Sequence, residues 1–246
     1  MKSMKRTTLF LMVFITMAFL LNLTTAQAEW HSLGGVGKDV AVSRAGNMAW
    51  TIGSDNGIYF HTRGGWQQYP GGGQGTAIAV TSHGTPFVIG MDNGIYKGTR
   101  NGWELLPGGG QGKDIAVDGN GNAWVIGMDN GIYSYNGSYW TQYPGGGKGL
   151  AIAVTEYGVP FIIGTDNGIY RGTGSGWEQL PGGGKGKDIT VDSRGNAWVI
   201  GMDNAIYSHD GFSWSQLPGG GQGYRITVNH SGNPLVIGLD NAIWQY

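Results

Sequence analysis

Residues 113–149 read KDIAVDGNGNAWVIGMDNGIYSYNGSYWTQYPGGGKG. Lys113–Val117, Asn122–Ile126, Gly131–Ser134 and Tyr139–Tyr143 are short runs rich in β-branched and aromatic residues, bounded by Gly, Asn, Asp or Pro. They predict four strands, because such side chains fit a pleated, half-buried surface and their boundaries are turn formers. Asp118-Gly119-Asn120-Gly121 predicts a turn, and Asn130-Gly131 a tight hairpin of the mirror-image type. No stretch carries a convincing helical period.

The same stretch recurs along the chain. Asp-Asn pairs stand at Asp55, Asp92, Asp129, Asp166, Asp203 and Asp240, each 37 residues from the last. A Trp recurs at Trp30, Trp66, Trp103, Trp140, Trp177 and Trp214. Pro-Gly-Gly-Gly-x-Gly begins at Pro70, Pro107, Pro144, Pro181 and Pro218, with a degenerate copy at Leu33–Gly37. Four strands per unit, repeated six times, predict an all-β, six-bladed β-propeller of 24 strands. The chain after residue 28 opens on a fourth strand, Glu29–Leu33, and closes on a third, Asn241–Tyr246. The N-terminal strand is therefore expected to complete the last blade and close the ring, removing the open end of a linear array.

Alternate units differ. The first, third and fifth carry Lys38-Asp39, Lys113-Asp114 and Lys187-Asp188 with Trp50, Trp124 and Trp198. The second, fourth and sixth carry Thr76-Ala77, Leu150-Ala151 and Tyr224-Arg225 with Pro86-Phe87, Pro160-Phe161 and Pro234-Leu235. The longer period is 74 residues, an approximate threefold, and large groups are expected to face small ones around the ring. The Lys-Asp pairs are read as salt bridges at the mouth of the central channel.

Composition excludes several classes. Gly accounts for 49 of 246 residues, without a collagen register, and 29 aromatic residues are too many for a solvated coil. With no Cys, disulfides and thiolate metal sites are excluded. Lys2, Lys5 and Arg6, the apolar run Leu9–Leu21 and Ala26-Gln27-Ala28 make the pattern of a secretory signal peptide, cleaved after Ala28. Residues 1–28 are thus assigned to export and 29–246 to one propeller, secreted, cell-surface or periplasmic, that does not span a membrane. The part after residue 28 has a net charge of −4, which argues against a nucleic-acid partner.

The phrases Lys-Asp-Ile-Ala-Val-Asp, Gly-Asn-Ala-Trp-Val-Ile-Gly and Gly-Ile-Tyr, followed by Trp and Pro-Gly-Gly, resemble a tectonin repeat over residues 29–246. Tectonins, fish-egg lectins and tachylectin-like proteins are propellers of such repeats. The resemblance implies a lectin for glycans or lipopolysaccharide, with no cofactor or metal called for.

Propeller geometry puts the Pro-Gly-Gly-Gly-x-Gly connections and the Asp-Asn turns on one face. A sugar site needs an aromatic platform beside fixed polar groups. The candidate ligand residues are Asp55, Asn56, Asp92, Asn93, Asp129, Asn130, Asp166, Asn167, Asp203, Asn204, Asp240 and Asn241, with Trp66, Trp103, Trp140, Trp177 and Trp214. Tyr96 and its equivalents are alternative platforms. A purely structural reading stays open: Asp-Asn-Gly tolerates positive φ, and the aromatic rows also suit a core. No P-loop, H-E-x-x-H or Gly-x-Ser-x-Gly is present, and His31, His61, His83, His209 and His230 are taken not to recur in register. An enzyme is therefore not expected. The expected function is multivalent carbohydrate binding, the alternative a protein-interaction scaffold.

Overall fold

The computed structural model describes residues 29–43, 45 and 47–246; the expected export segment lies outside them. Every regular element among these residues is a strand. β1 (His31–Ser43), β2 (Met48–Gly53), β3 (Ile58–Thr62) and β4 (Gly65–Gln68) follow one another, each antiparallel to the next. β5 (Gly75–Val80), β6 (Pro86–Gly90), β7 (Ile95–Thr99) and β8 (Gly102–Leu105) make a four-stranded sheet. A second holds β9 (Gly112–Val117), β10 (Ala123–Gly127), β11 (Ile132–Tyr135) and β12 (Trp140–Gln142). A third holds β13 (Gly149–Val154), β14 (Pro160–Gly164), β15 (Ile169–Gly172) and β16 (Trp177–Gln179). A fourth holds β17 (Gly186–Val191), β18 (Ala197–Gly201), β19 (Ile206–His209) and β20 (Trp214–Gln216).

The remaining strands, β21 (Gly223–Val228), β22 (Pro234–Gly238) and β23 (Ala242–Gln245), run on into β1–β4. β1 joins them because it serves two neighbours. His31 and Ser32 pair with Gln245 and Trp244 of β23, while Asp39–Ser43 pair with β2. The described strands therefore number 23 rather than the expected 24. The degenerate Leu33–Gly37 copy lacks the Pro that ends pairing elsewhere, so the two strands merge. Gly34 and Gly35 absorb the irregularity at φ 70° and 77°. The first strands of the repeats lie side by side, β5 against β1 and β9, β13 against β9 and β17, β21 against β17 and β1.

Two rows of isoleucine anchor the sheets. Ile52, Ile89, Ile126, Ile163, Ile200 and Ile237 on the second strands are sealed from solvent, as are Ile58, Ile95, Ile132, Ile169, Ile206 and Ile243 on the third. Truncating any one to Ala costs ~2–5 kcal/mol through lost burial and the cavity left behind. The last glycine of each Pro-Gly-Gly-Gly-x-Gly explains how the sheets approach. A Cβ on Gly112 would lie 2.9 Å from Ile89 Cδ1, and one on Gly186 2.8 Å from Ile163 Cδ1. Gly37 meets Ile237 Cδ1 in the same way, at 3.1 Å, across the ends of the chain.

The 74-residue alternation is a packing device. Trp50 and Trp124 lie against Tyr69 and Tyr143, with ring centroids 5.6 and 5.9 Å apart. The following sheet answers each Tyr with a glycine, and a Cβ on Gly98 would meet both the Tyr69 hydroxyl and Pro86. At the intervening junction Phe87 packs with Leu106, Ala123 and Tyr135, so large and small exchange places.

Candidate functional site

Each Asp-Asn turn is built the same way. Asn130 N–H donates to Gly127 O at 2.9 Å, and Asn130 takes φ 66°. The turn is thus a type I turn followed by a left-handed residue, not the mirror-image hairpin expected from Asn-Gly. The Asn, rather than the Gly or Ala after it, holds the positive φ in all six copies. Its carbonyl accepts from the last glycine of the next connection, as in Gly149 N–H to Asn130 O at 2.9 Å. Its side chain is largely claimed as well: Lys38, Lys113 and Lys187 Nζ donate to Asn56, Asn130 and Asn204 Oδ1 at 2.6–2.8 Å. Tyr224 hydroxyl donates to Asn241 Oδ1 at 3.0 Å.

The preceding Asp is exposed and pre-oriented. Asp92 Oδ1 accepts Gly94 N–H at 2.9 Å and Oδ2 accepts the Tyr96 hydroxyl at 2.8 Å. The Tyr–Asp pair recurs at Asp55, Asp129, Asp166 and Asp203, and Trp244 replaces the Tyr beside Asp240. These bonds hold the carboxyls of Asp55, Asp92, Asp166 and Asp203 below the usual range, the tyrosine hydroxyl leading; at Asp129 the Gly131 N–H leads. Each is ionised at neutral pH, with lone pairs left to accept a ligand hydroxyl.

The Trp rows are half-buried and clasp the connection before them. Indole N–H groups of Trp66, Trp103 and Trp214 donate to Gly34, Gly72 and Gly183 O at 2.7–2.8 Å. Trp140 and Trp30 reach Pro107 and Gly220 O at 3.2 and 3.3 Å, while the buried Trp177 Nε1 has no partner.

Between neighbouring sheets on this face lie cavities that gather these groups. One of about 310 Å³ is lined by Gly73, Gly90, Met91, Asp92, Tyr96 and Trp103. At corresponding junctions, one of about 260 Å³ holds Asp55, Tyr59 and Trp66, and one of about 360 Å³ holds Trp30, Asp240 and Trp244. Sequence reasoning placed Asp and Trp together here, and they do meet. None of the six Asn lines these three cavities. Trp30 and the residue before each Asp (Ser54, Met91, Leu239) were missed, although their register was visible.

A second polar cluster lies on the axis. Asp39, Asp114 and Asp188 do not pair with the lysines beside them, as the sequence had suggested. On a strand, neighbours point to opposite faces, so the lysines reach the Asn turns and the aspartates turn inward. Each carboxylate caps an edge N–H of the next sheet, on Ile78, Ile152 and Ile226, at 2.7–2.8 Å. Arg225 bridges two of them, 3.5 Å from Asp39 and 3.8 Å from Asp188. Burial pushes the Asp39 carboxyl up to about 7 and that of Asp188 to about 6, and raises Asp114, against the pull of Arg225. The cavity they line is small, about 110 Å³. His61 and His209 do share a register, contrary to expectation, and occupy corresponding places, edge-on to Trp66 and tilted against Trp214.

No family model matches the chain, and no curated relative matches its sequence. Solved structures define the class: this is a β-propeller. A gluconolactonase from Xanthomonas campestris superposes with a TM-score of 0.64 at 14% identity, over 88% of each chain. A streptogramin B lyase gives 0.57 at 19% identity, over 84% of this chain and 77% of its own. The WD40 propeller domain of Doa1 gives 0.59 at 10% identity, over 88% and 96%. These likenesses correct one expectation. Excluding an enzyme from absent motifs does not stand, because two structures that share this fold are catalysts, a gluconolactonase and a lyase. Among the described residues no helix is long and apolar enough to cross a membrane.

Proposed function

We propose that residues 29–246 form a six-bladed ring closed through β1, of the tectonin-like kind, exported after removal of residues 1–28. Its repeated face binds carbohydrate, glycan or lipopolysaccharide, at several equivalent sites. One observation carries this reading: an aspartate carboxyl, its tyrosine or tryptophan partner and a half-buried indole recur around cavities at corresponding junctions. The carboxylate accepts sugar hydroxyls while the ring faces cover C–H surfaces. Several weak sites on one face gain ~10²–10⁴ in avidity on a polymeric glycan. Glycan-array binding followed by calorimetry is the test, with several sugars bound per chain as the expected result. Failure to bind any glycan offered overturns it.

A scaffold reading has its own support. Met91, Met128, Met202 and Leu239, each about half exposed, stand at one register on the same face. Flexible thioethers suit an adaptable protein contact. Under that reading Met128→Ser and Met202→Ser, which lie outside the three cavities, abolish partner binding and leave any sugar binding there intact.

A further inference from the structure

The opposite face carries the turns that differ between units. There three junctions are tied shut: Ala45 N–H donates to Ser82 O and Gly119 N–H to Glu156 O at 3.0 Å, and the Ser193 hydroxyl to His230 O at 3.3 Å. The junction between the β13–β16 and β17–β20 sheets belongs to the alternate set, and it opens into a cavity of about 470 Å³. Val159, Phe161 and Leu180 supply an apolar lining, and Arg171, Glu178, Arg194 and Glu156 place both signs of charge around it. Arg171 and Glu178 face each other across β15 and β16 at 3.8 Å, both about half exposed, too far apart for a hydrogen bond. Arg194 is held by its backbone, which donates to Asp192 Oδ1 at 2.9 Å, and its guanidinium makes no ion pair among the described residues. His209 is a wall rather than a ligand group. Its Nδ1 accepts Gly211 N–H and its Nε2–H donates to Pro181 O, both at 3.1 Å.

Two aromatics stand almost free here, Tyr157 in the cavity lining at 89% exposure and Phe212, next to the lining Gly211, at 83%. Neither is required by the repeat. The equivalent junction 74 residues earlier keeps opposite charges in that register, as Lys97 and Glu104, but has His83, Asn120 and Ser138 where this one has Tyr157, Arg194 and Phe212. Exposed Tyr, Phe and Arg on loops of Ser, Gly and Asn make a composition suited to recognising polypeptide.

We propose that this junction is a second ligand site, for a short peptide carrying both a free carboxylate and a free amine. The guanidiniums of Arg194 and Arg171 take the carboxylate, and Glu178 takes the ammonium. The peptide's apolar side chain covers Phe161 and Leu180 beneath Tyr157. A neutral sugar would leave the Arg194 guanidinium without an ion pair, and a simple anion would meet Glu178.

The test is ligand-observed NMR titration with the tripeptide Ala-Leu-Ala, its N-acetylated form and its C-amidated form. The free tripeptide is expected to bind, with either block weakening it ~10-fold, the loss of one charge-assisted contact. Arg194→Gln weakens the free tripeptide by a similar factor and leaves the amidated form unchanged. Tyr157→Ser weakens all three. Both positions are exposed, so the melting temperature stays at the parental value and the repeated face is untouched. Equal binding of all three forms, or no binding by any at millimolar concentration, overturns the proposal.

Discussion

The axial aspartates make this protein more stable in mild acid than at neutral pH. Asp39 is ordinarily a carboxyl of 3.8, and burial raises it to about 7 in the folded chain. Between those values the folded state holds a proton that the unfolded state has released, so stability falls as pH rises. The contribution is complete below pH 3.8 and is lost through about 7; at ~1.4 kcal/mol per pH unit the interval converts to ~4 kcal/mol. Asp188, raised to about 6, acts in the same direction over a lower window. The turn carboxylates, lowered by their Tyr and N–H partners, stay ionised across this range in both states and do not mask the effect. Urea unfolding at pH 5, 6, 7 and 8 is the assay. The midpoint should fall steadily with pH, and Asp39→Asn should flatten the profile, because the amide oxygen still accepts Ile78 N–H while no charge can form. A midpoint that is constant or rises from pH 5 to 8, or an Asp39→Asn profile like the parent's, would refute the reasoning.

Arg225→Met leaves the axial carboxylates without their cation and should cost ~3–5 kcal/mol at pH 8, recovering at pH 5, as read by the same urea midpoints. Asn130→Ala keeps the Cβ at φ 66° but removes the polar side chain that makes Asn tolerant there, and should lose ~1–2 kcal/mol, whereas Asn130→Gly, free of the Cβ penalty, should lose less; thermal melts separate the two. Gly90→Ala puts a Cβ 2.7 Å from Asp92 Oδ1 and 2.8 Å from Tyr96 Cε2, so it should abolish glycan binding at that junction, reducing calorimetric stoichiometry while most of the fold persists. Trp103→Phe keeps the ring but deletes the bond to Gly72 O, and should cost ~1 kcal/mol in thermal unfolding.

Much of the fold was legible because the repeat multiplies weak local signals. A single Gly-Ile-Tyr says little, but six copies 37 residues apart fix a strand, its turn and its register together. The third repeat's strands fall within about a residue of their expected places. What escaped was direction. A period of 37 states which residues are equivalent, not which way they point, so Lys113 and Asp114 looked like a pair although alternation sends them to opposite faces. The Asn-Gly dipeptide misled for a related reason. Its usual turn puts positive φ on both residues, but here a three-residue loop, Met128, Asp129 and Asn130, replaces the two-residue one and leaves only Asn130 at positive φ.

Symmetry also steered the reading of function. Sixfold recurrence drew attention to groups that repeat, and those groups serve the turns that carry them as well as lining the cavities beside them. Arg225 illustrates the opposite case. Its counterparts in the second and fourth units are Ala77 and Ala151, so one guanidinium faces three carboxylates that the repeat supplies in triplicate. A threefold ring of aspartates alone would be three like charges in a space of about 110 Å³, and one substitution among the even units makes it tolerable. Tyr157, Arg194 and Phe212 depart from the repeat in the same manner, but on the open face rather than on the axis. A repeated chain inherits its scaffold from the copies. Any property needed only once has to be written into positions where the copies disagree, and on this chain those positions are few enough to test one by one.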